Sequence, residues 1–423
     1  MYETERKPDR TILIAATVKG TNREKTKEYL DELDFLCENA GAETIHKITQ
    51  ELPKLNNATC IGSGKIEELK QIIREDDIQL VVFDDELSPM QTRNLIKELN
   101  IKVMDRSGII LDIFADRAKT QEAKTQVELA HLQYMLPRLT RLWTHLSKQY
   151  GGVGTNAKGP GETQIETDRR LLRDRIQFLK EKLKDIDVQK ITQRKNRGNF
   201  SRFALVGYTN AGKSTLMKTL TQADVYIENK LFATLDTTVR AFELPSGEKV
   251  LLSDTVGFIR KLPTHLVASF RSTLAEAQEA DFIVHVIDVS HPHFIDQIKV
   301  VDDTLVSLGI TEQPVIHIFN KVDLVEDKLM LENLSTQYSN SIFISAKKLI
   351  NIEQLLEKFS ELNDNLSKII NLYIPYEKIS VINKIYSNSE ILERSDSDTG
   401  INLKLRVKSE VLNFFKNSFS EYF

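Results

Sequence analysis

The sequence predicts an α/β protein in which a phosphate-loop domain follows an N-terminal α/β domain and an antiparallel helical hairpin and precedes a small C-terminal α/β appendage. Three observations carry that prediction. Residues Gly207 to Ser214 read GYTNAGKS between a short apolar strand and an apolar helix, the first ~115 residues alternate strand-like and helix-like stretches, and leucines recur at a 3.5-residue period between them.

The N-terminal domain is expected over residues 1 to 117. Thr11 to Val18 is an apolar strand-like run, Arg23 to Asn39 carries Tyr29, Leu33 and Leu36 at helical spacing, and Leu80 to Phe83 reads as a buried strand. This alternation predicts a largely parallel sheet. Ile61-Gly62-Ser63-Gly64-Lys65, ahead of a helix from Ile66 to Arg74, reads as a second phosphate site or as a glycine turn opening a helix. The turn is the favoured reading, because the segment lacks full P-loop spacing and a hydroxyl after Lys65.

Residues 118 to 198 are expected to form the hairpin. Leu129, Leu132, Leu136, Leu139, Trp143 and Leu146 form one seam, with Pro137 expected to kink it, and Leu172, Ile176, Leu179, Leu183 and Ile186 form the other. The tip over residues 151 to 162, GGVGTNAKGPGE, holds five glycines, which suits close backbone approach to a partner as well as a loop without function. From Arg117 to Arg197 there are 18 Lys/Arg against 9 Asp/Glu, although the whole chain carries −4. Such an excess fits either a solvated helical face or an arm meeting a polyanion. Lys158, Arg169, Arg170 and Arg173, in and just beyond the tip, are the candidate RNA-binding residues.

The third domain is expected over residues 199 to 363. Gly207, Tyr208, Thr209, Asn210, Ala211, Gly212, Lys213 and Ser214 follow the strand Phe203 to Val206 and open a helix toward Leu220, so backbone N–H groups cradle phosphate, Lys213 reaches the β and γ oxygens, and Ser214 ligates magnesium. Asp254, Thr255, Val256 and Gly257 end the strand Lys249 to Ser253, pairing a magnesium-linked Asp with a γ-phosphate-sensing Gly. Asn320, Lys321, Val322 and Asp323 follow Val315 to Phe319, and Asp323 can accept two hydrogen bonds from guanine N1 and N2. Leaving a buried carboxylate unpaired against adenine costs several kcal/mol, roughly a 10⁴-fold preference. Ser345, Ala346 and Lys347, after Ile342 to Ile344, fit a loop that holds the base. Alone, each motif is an ordinary turn. Together and in this order, at the carboxyl ends of strands, they predict a P-loop GTPase domain that takes GTP as substrate and Mg2+ as cofactor.

Residues 364 to 423 are expected to fold as the small appendage, with a hairpin around Ser395 to Gly400 between Ile391-Leu392 and Leu403 to Val407, and a Phe414, Phe415 and Phe419 cluster. Cys37 and Cys60 are too few for a disulfide framework, and no apolar run approaches ~18 residues. These features predict a cytoplasmic chain without a signal peptide or stable membrane insertion.

In GPGETQIETDRR (Gly159 to Arg170), GYTNAGKST, FATLDTTVR (Phe232 to Arg240) and DTVGFIRKLP (Asp254 to Pro263), the chain resembles the HflX family of bacterial ribosome-associated GTPases over about residues 1 to 363. The resemblance implies binding to the large ribosomal subunit and its RNA, splitting or rescue of stalled ribosomes, and GTP hydrolysis, by a monomer off the ribosome. It also assigns Phe232, Ala233, Thr234, Leu235 and Asp236 to the first switch, with Thr234 as a magnesium-ligating hydroxyl beside Ser214. Spacing alone does not choose Thr234 over Thr237 or Thr238. The tip is about two residues longer than in relatives, with Lys158 standing where they carry arginine, and Thr237 replaces a proline found in some of them.

The expected catalytic set is Lys213, Thr234 and Gly257, with the γ-phosphate holding Thr234 and Gly257 and ordering both switches. Phe258 follows Gly257, where a water-orienting glutamine would stand, so intrinsic hydrolysis is expected to be slow until a partner completes the site. Asn210 reads as an Asx-turn residue or as a ligand for K+, since asparagine recurs there in potassium-using GTPases. Two rival readings are a nucleotide-switched ribosome- or RNA-binding module, and an ATP-assisted RNA-remodelling factor working through Lys65. A tRNA-modification GTPase is disfavoured, because no cysteine lies near the C-terminus and the helical arm precedes the P-loop domain.

Overall fold

The computed structural model describes residues 8–138, 164–195, 200–221, 232, 238–261, 271–382, 385–386 and 389–408. The tip, Lys158, Trp143, Thr234 with Ala233, Leu235 and Asp236, and the C-terminal phenylalanine cluster all lie outside these residues. The chain divides into two compact units, one holding Met1–Asp187, Glu228–Asp236 and Ile259–Thr273, the other Val188–Ile227, Thr237–Phe258 and Leu274–Phe423.

In the first unit, β1 (Asp9–Val18), β2 (Ala42–Leu52), β3 (Leu80–Phe83) and β4 (Lys102–Asp105) form a parallel sheet in the order β2-β1-β3-β4. The parallel crossovers run through α1 (Arg23–Asn39), α2 (Ser63–Glu75) and α3 (Pro89–Leu99), and α4 (Arg106–Arg117) follows β4. Side-chain caps fix the starts of α1, α3 and α4: the Asn22 side chain accepts from Glu24 N–H, Ser88 and Gln91 form a capping box, and Asp105 accepts from Gly108 N–H. Ile12, Ile14, Val81, Phe83, Leu69 and Leu95 share the core. The glycine segment opens α2 at Ser63, three residues before the expected start. There the Gly62 N–H donates to Gln50 Oε1 at 2.9 Å and Lys65 pairs with Glu68, so both already have partners.

The hairpin helices are α5 (Gln121–Met135) and α6 (Gln164–Lys195). Leu129, Ile176 and Leu179 form their shared core, flanked by Leu132, Leu136 and Leu183, as the two seams predict. Each buried side chain contributes about 1.5–3 kcal/mol. A bidentate Arg175–Glu128 pair at 2.7 and 3.0 Å adds register. At Pro137 the α-helix has stopped, giving way to a 3-10 turn over Leu136–Arg138, because proline supplies no N–H to continue it.

The second unit is built on a six-stranded sheet in the order β10-β9-β8-β5-β7-β6, with β5 (Arg202–Val206), β6 (Thr238–Glu243), β7 (Lys249–Asp254), β8 (Phe282–Asp288), β9 (Val315–Asn320) and β10 (Ser341–Phe343). Only β6, paired to β7, runs antiparallel. The parallel strands are apolar on both faces because helices cover both sides. Their carboxyl ends therefore converge on one edge, where the site lies. The helix Ile352–Leu366 closes the domain and leads into β11 (Ser367–Pro375), β12 (Glu390–Asp396) and β13 (Gly400–Lys408), an antiparallel sheet in the order β11-β13-β12 that includes the expected hairpin.

Candidate functional site

Four loops meet at the carboxyl edge of the six-stranded sheet. After β5 the chain turns through Gly207 to Gly212 into α7 (Lys213–Thr221), and the first amides of a helix have no partner within it, which suits them to an anion. Gly212 has φ +99°, and a Cβ there would run into Asn320 Nδ2, so the position excludes every side chain. Asn210 is exposed with φ +61°, a left-handed conformation asparagine tolerates.

Lys213 is buried, and its Nζ donates to the carbonyls of Gly207 at 3.0 Å and Tyr208 at 2.9 Å. Burial pulls its ammonium down to about 8, with Asp254 acting in the opposite direction. The Ser214 hydroxyl donates to Asp254 Oδ2 at 2.7 Å. A hydroxyl beside a carboxylate is an all-oxygen donor set suited to Mg2+. Thr255 is buried and anchors the loop by donating its hydroxyl to Leu205 O at 2.7 Å.

Gly257 lies against the P-loop: a Cβ there would sit 2.9 Å from Thr209 Cα and 3.2 Å from Lys213 Nζ. Phe258 is 2% exposed, its N–H donates to Gly207 O at 3.0 Å, and its carbonyl accepts from Thr209 N–H at 2.8 Å. The ring therefore serves as an anchor and leaves the reaction centre to other groups. Sequence spacing gave no sign of this backbone bridge between Tyr208 and Phe258.

At the end of β9, Asn320 is buried and joins two loops: its Nδ2 donates to Ala211 O at 2.9 Å, and its Oδ1 accepts from Ala346 N–H at 3.0 Å. Lys321 takes φ +65° and its Nζ donates to Asp288 Oδ2 at 2.6 Å. Asp288 is a site residue that sequence reasoning missed, though its place at the end of β8 was a usable signal. Val322 N–H donates to Ile344 O at 3.2 Å. Asp323 stands exposed in the 3-10 turn Val322–Leu324. Ser345 and Ala346 are buried and Lys347 is exposed beside them.

Phe232 belongs to the other unit, where it is 3% exposed with its ring 4.5 Å from that of Phe114 in an edge-on contact. Of the predicted RNA-binding residues, Arg170 and Arg173 are exposed on α6 and Arg169 is half-buried.

Three family models match in succession: GTP-binding GTPase N-terminal over residues 27–115, GTP-binding GTPase middle region over 117–197, and 50S ribosome-binding GTPase over 202–321. The GTPase HflX of Flavobacterium psychrophilum is 48% identical over 391 residues, covering 88% of this chain and 93% of its own length. That of Caldanaerobacter subterraneus is 43% identical over 419 residues, covering 99% and 95%. Among solved structures, a GTP-binding protein from Sulfolobus solfataricus in complex with GDP aligns at 25% identity with a TM-score of 0.44, over 85% of this chain and 99% of that one.

Proposed function

The chain belongs to the HflX family of GTPases, and we propose that its GTP hydrolysis is timed by the large ribosomal subunit, which it binds in order to split or rescue stalled ribosomes. The observation that carries this reading is the anchored Phe258. With its ring buried and both backbone groups bonded to the P-loop, it offers nothing to orient an attacking water, so a partner must complete the site. The matched 50S ribosome-binding description and the basic hairpin both favour the large subunit as that partner.

Within this reading, the P-loop amides and Lys213 hold the phosphates, Gly257 senses the γ-phosphate, and Asp323, Asn320 and Ala346 fix guanine. Ser214 and Thr234, with Asp254 behind Ser214, would hold Mg2+, which neutralises phosphate charge when bound. Asn210 would take K+ as a second charge-neutralising ion, so turnover is faster in potassium than in sodium; equal rates contradict this. Lys158, Arg169, Arg170 and Arg173 contact ribosomal RNA. The protein acts in the cytoplasm as a monomer off the ribosome; among the described residues no helix is long and apolar enough to cross a membrane.

Cosedimentation with purified large subunits tests the binding. The chain pellets with subunits in a non-hydrolysable GTP analogue and stays in the supernatant in GDP. Equal pelleting in both contradicts nucleotide-timed binding. Ribosome splitting by the analogue-bound protein alone would instead support a pure binding switch.

A further inference from the structure

The second-switch sequence continues past Gly257 and Phe258 into Ile259-Arg260-Lys261, which the contacts group with the N-terminal sheet. There Arg260 donates to Glu32 Oε2 at 2.7 Å, and its guanidinium lies 3.2 Å from the centroid of the Tyr29 ring. Lys261 Nζ donates to Asp84 Oδ2 at 2.7 Å and to Asp85 Oδ1 at 2.5 Å, from a backbone with φ +53°. Asp84 is 2% exposed and also accepts from Arg106 at 2.6 Å; Arg106, itself 1% exposed, donates to Glu32 as well. Burial pushes the Asp84 carboxyl up, and Arg106, Lys261 and Arg260 outweigh it, holding the group below its ordinary value.

Two features make this cluster more than surface pairing. Asp84 and Asp85 follow β3, and Arg106 follows β4, so the cluster sits at the carboxyl ends of parallel strands, the edge at which open α/β sheets receive ligands. Its centre is also buried, with Asp84 2% and Arg106 1% exposed. Three carboxylates, Glu32, Asp84 and Asp85, face Arg106, Arg260 and Lys261. Removing Arg260 and Lys261 takes two cations from a largely buried group, which is costly.

We infer that the acidic edge of the N-terminal sheet is the docking site for the chain's own Arg260-Lys261, and that Glu32, Asp84 and Asp85 are positioning residues that set discrimination between GTP and GDP. The inference rests on Gly257 as the γ-phosphate sensor. Only Phe258 and Ile259 separate Gly257 from Arg260, so a fixed dipeptide tethers the Gly257 N–H through two residues of chain. A segment held in place forfeits less freedom when the γ-phosphate engages it, whereas GDP makes no such demand.

The test compares the full chain with Arg260→Ala, Lys261→Ala, Asp84→Asn, Lys261→Arg and Gly257→Ala, measuring affinity for GDP and for a non-hydrolysable GTP analogue. Arg260→Ala, Lys261→Ala and Asp84→Asn are expected to bind the analogue about five- to twentyfold more weakly with GDP affinity held within about twofold, and Lys261→Arg to restore most of the loss. Unchanged analogue affinity, tighter analogue binding, or equal losses for both nucleotides overturns the docking role. Gly257→Ala separates the two layers. If it keeps wild-type discrimination, the sensor assignment fails; if it loses discrimination while the cluster variants keep it, the docking inference alone fails.

Discussion

The Ser214 hydroxyl donates to Asp254 Oδ2 at 2.7 Å, tying the residue after the P-loop lysine to the carboxyl end of β7. Each group arrives from a different strand-to-loop transition, so the pair exists only because β5 and β7 are neighbours in the sheet. Ser214→Ala removes the hydroxyl while leaving the loop backbone intact. Titration calorimetry is expected to show GTP affinity in Mg2+ weakened about tenfold, ~1.4 kcal/mol, with affinity in excess chelator unchanged. Equal affinity of the two proteins in Mg2+ removes Ser214 from the metal site.

Lys213 gives a pH signature. Burial lowers its ammonium to about 8, and an entering phosphate restores the charged form, so nucleotide binding takes up protons near pH 8. Calorimetry in two buffers of different ionisation enthalpy is expected to find roughly half a proton bound per nucleotide at pH 8 and almost none at pH 6.5. Above pH 8, affinity falls toward tenfold per unit. A pH-independent affinity between 7 and 9.5 contradicts the assignment.

Asn320 joins the P-loop to the Ser345–Lys347 loop through Ala211 O and Ala346 N–H. Asn320→Ala leaves both backbone groups without that partner inside the domain, at about 1–3 kcal/mol each. Urea unfolding is expected to show a loss of roughly 2–6 kcal/mol, and guanine nucleotides should bind more weakly. Gly212→Ala, which forces a Cβ into the Asn320 amide, should weaken nucleotide binding in the same way. Wild-type stability in Asn320→Ala would show that the bracket contributes little.

Much of this site was legible in sequence because its chemistry is local. GYTNAGKS, DTVG, NKVD and SAK each follow an apolar run, and parallel strands must bring those ends together. What stayed hidden depends on pairs far apart in the chain: Phe258 with Thr209, Lys321 with Asp288, and Arg260 with Glu32, 228 residues away. Charged residues on loops have no periodicity to betray a partner. In the N-terminal domain, α1 and β3 match the expected spans, since both have strong apolar patterns. β2 escaped individual notice because its sequence, AETIHKITQEL, is largely polar and much of it is solvent-facing.

His285 on β8 is 1% exposed, and burial pulls its imidazole down to about 3, aided by His317 and Lys213. Asp302 lies 3.8 Å away and is half exposed, too distant for a hydrogen bond that would hold the proton. As pH falls, the unfolded chain protonates this histidine near 6.5 and the folded chain does not. Its effect on stability is therefore nil above about pH 6.5 and grows unfavourable downward to about 3, at ~1.4 kcal/mol per unit. Urea unfolding at intervals from pH 7.5 to 4.5 should show this slope, and His285→Leu should reduce it by about that amount. An unchanged slope in the variant would assign the acid sensitivity elsewhere.

On the proposed function, the large ribosomal subunit completes a GTPase whose own second switch cannot orient water. The GTP hydrolysis rate with and without purified large subunits, repeated on a chain with residues 151 to 162 shortened, tests this dependence. Slow turnover alone, stimulation of at least about tenfold by subunits, ~1.4 kcal/mol of barrier, and loss of most of that stimulation on shortening the tip are the predicted results. A rate that subunits leave unchanged would contradict the claim.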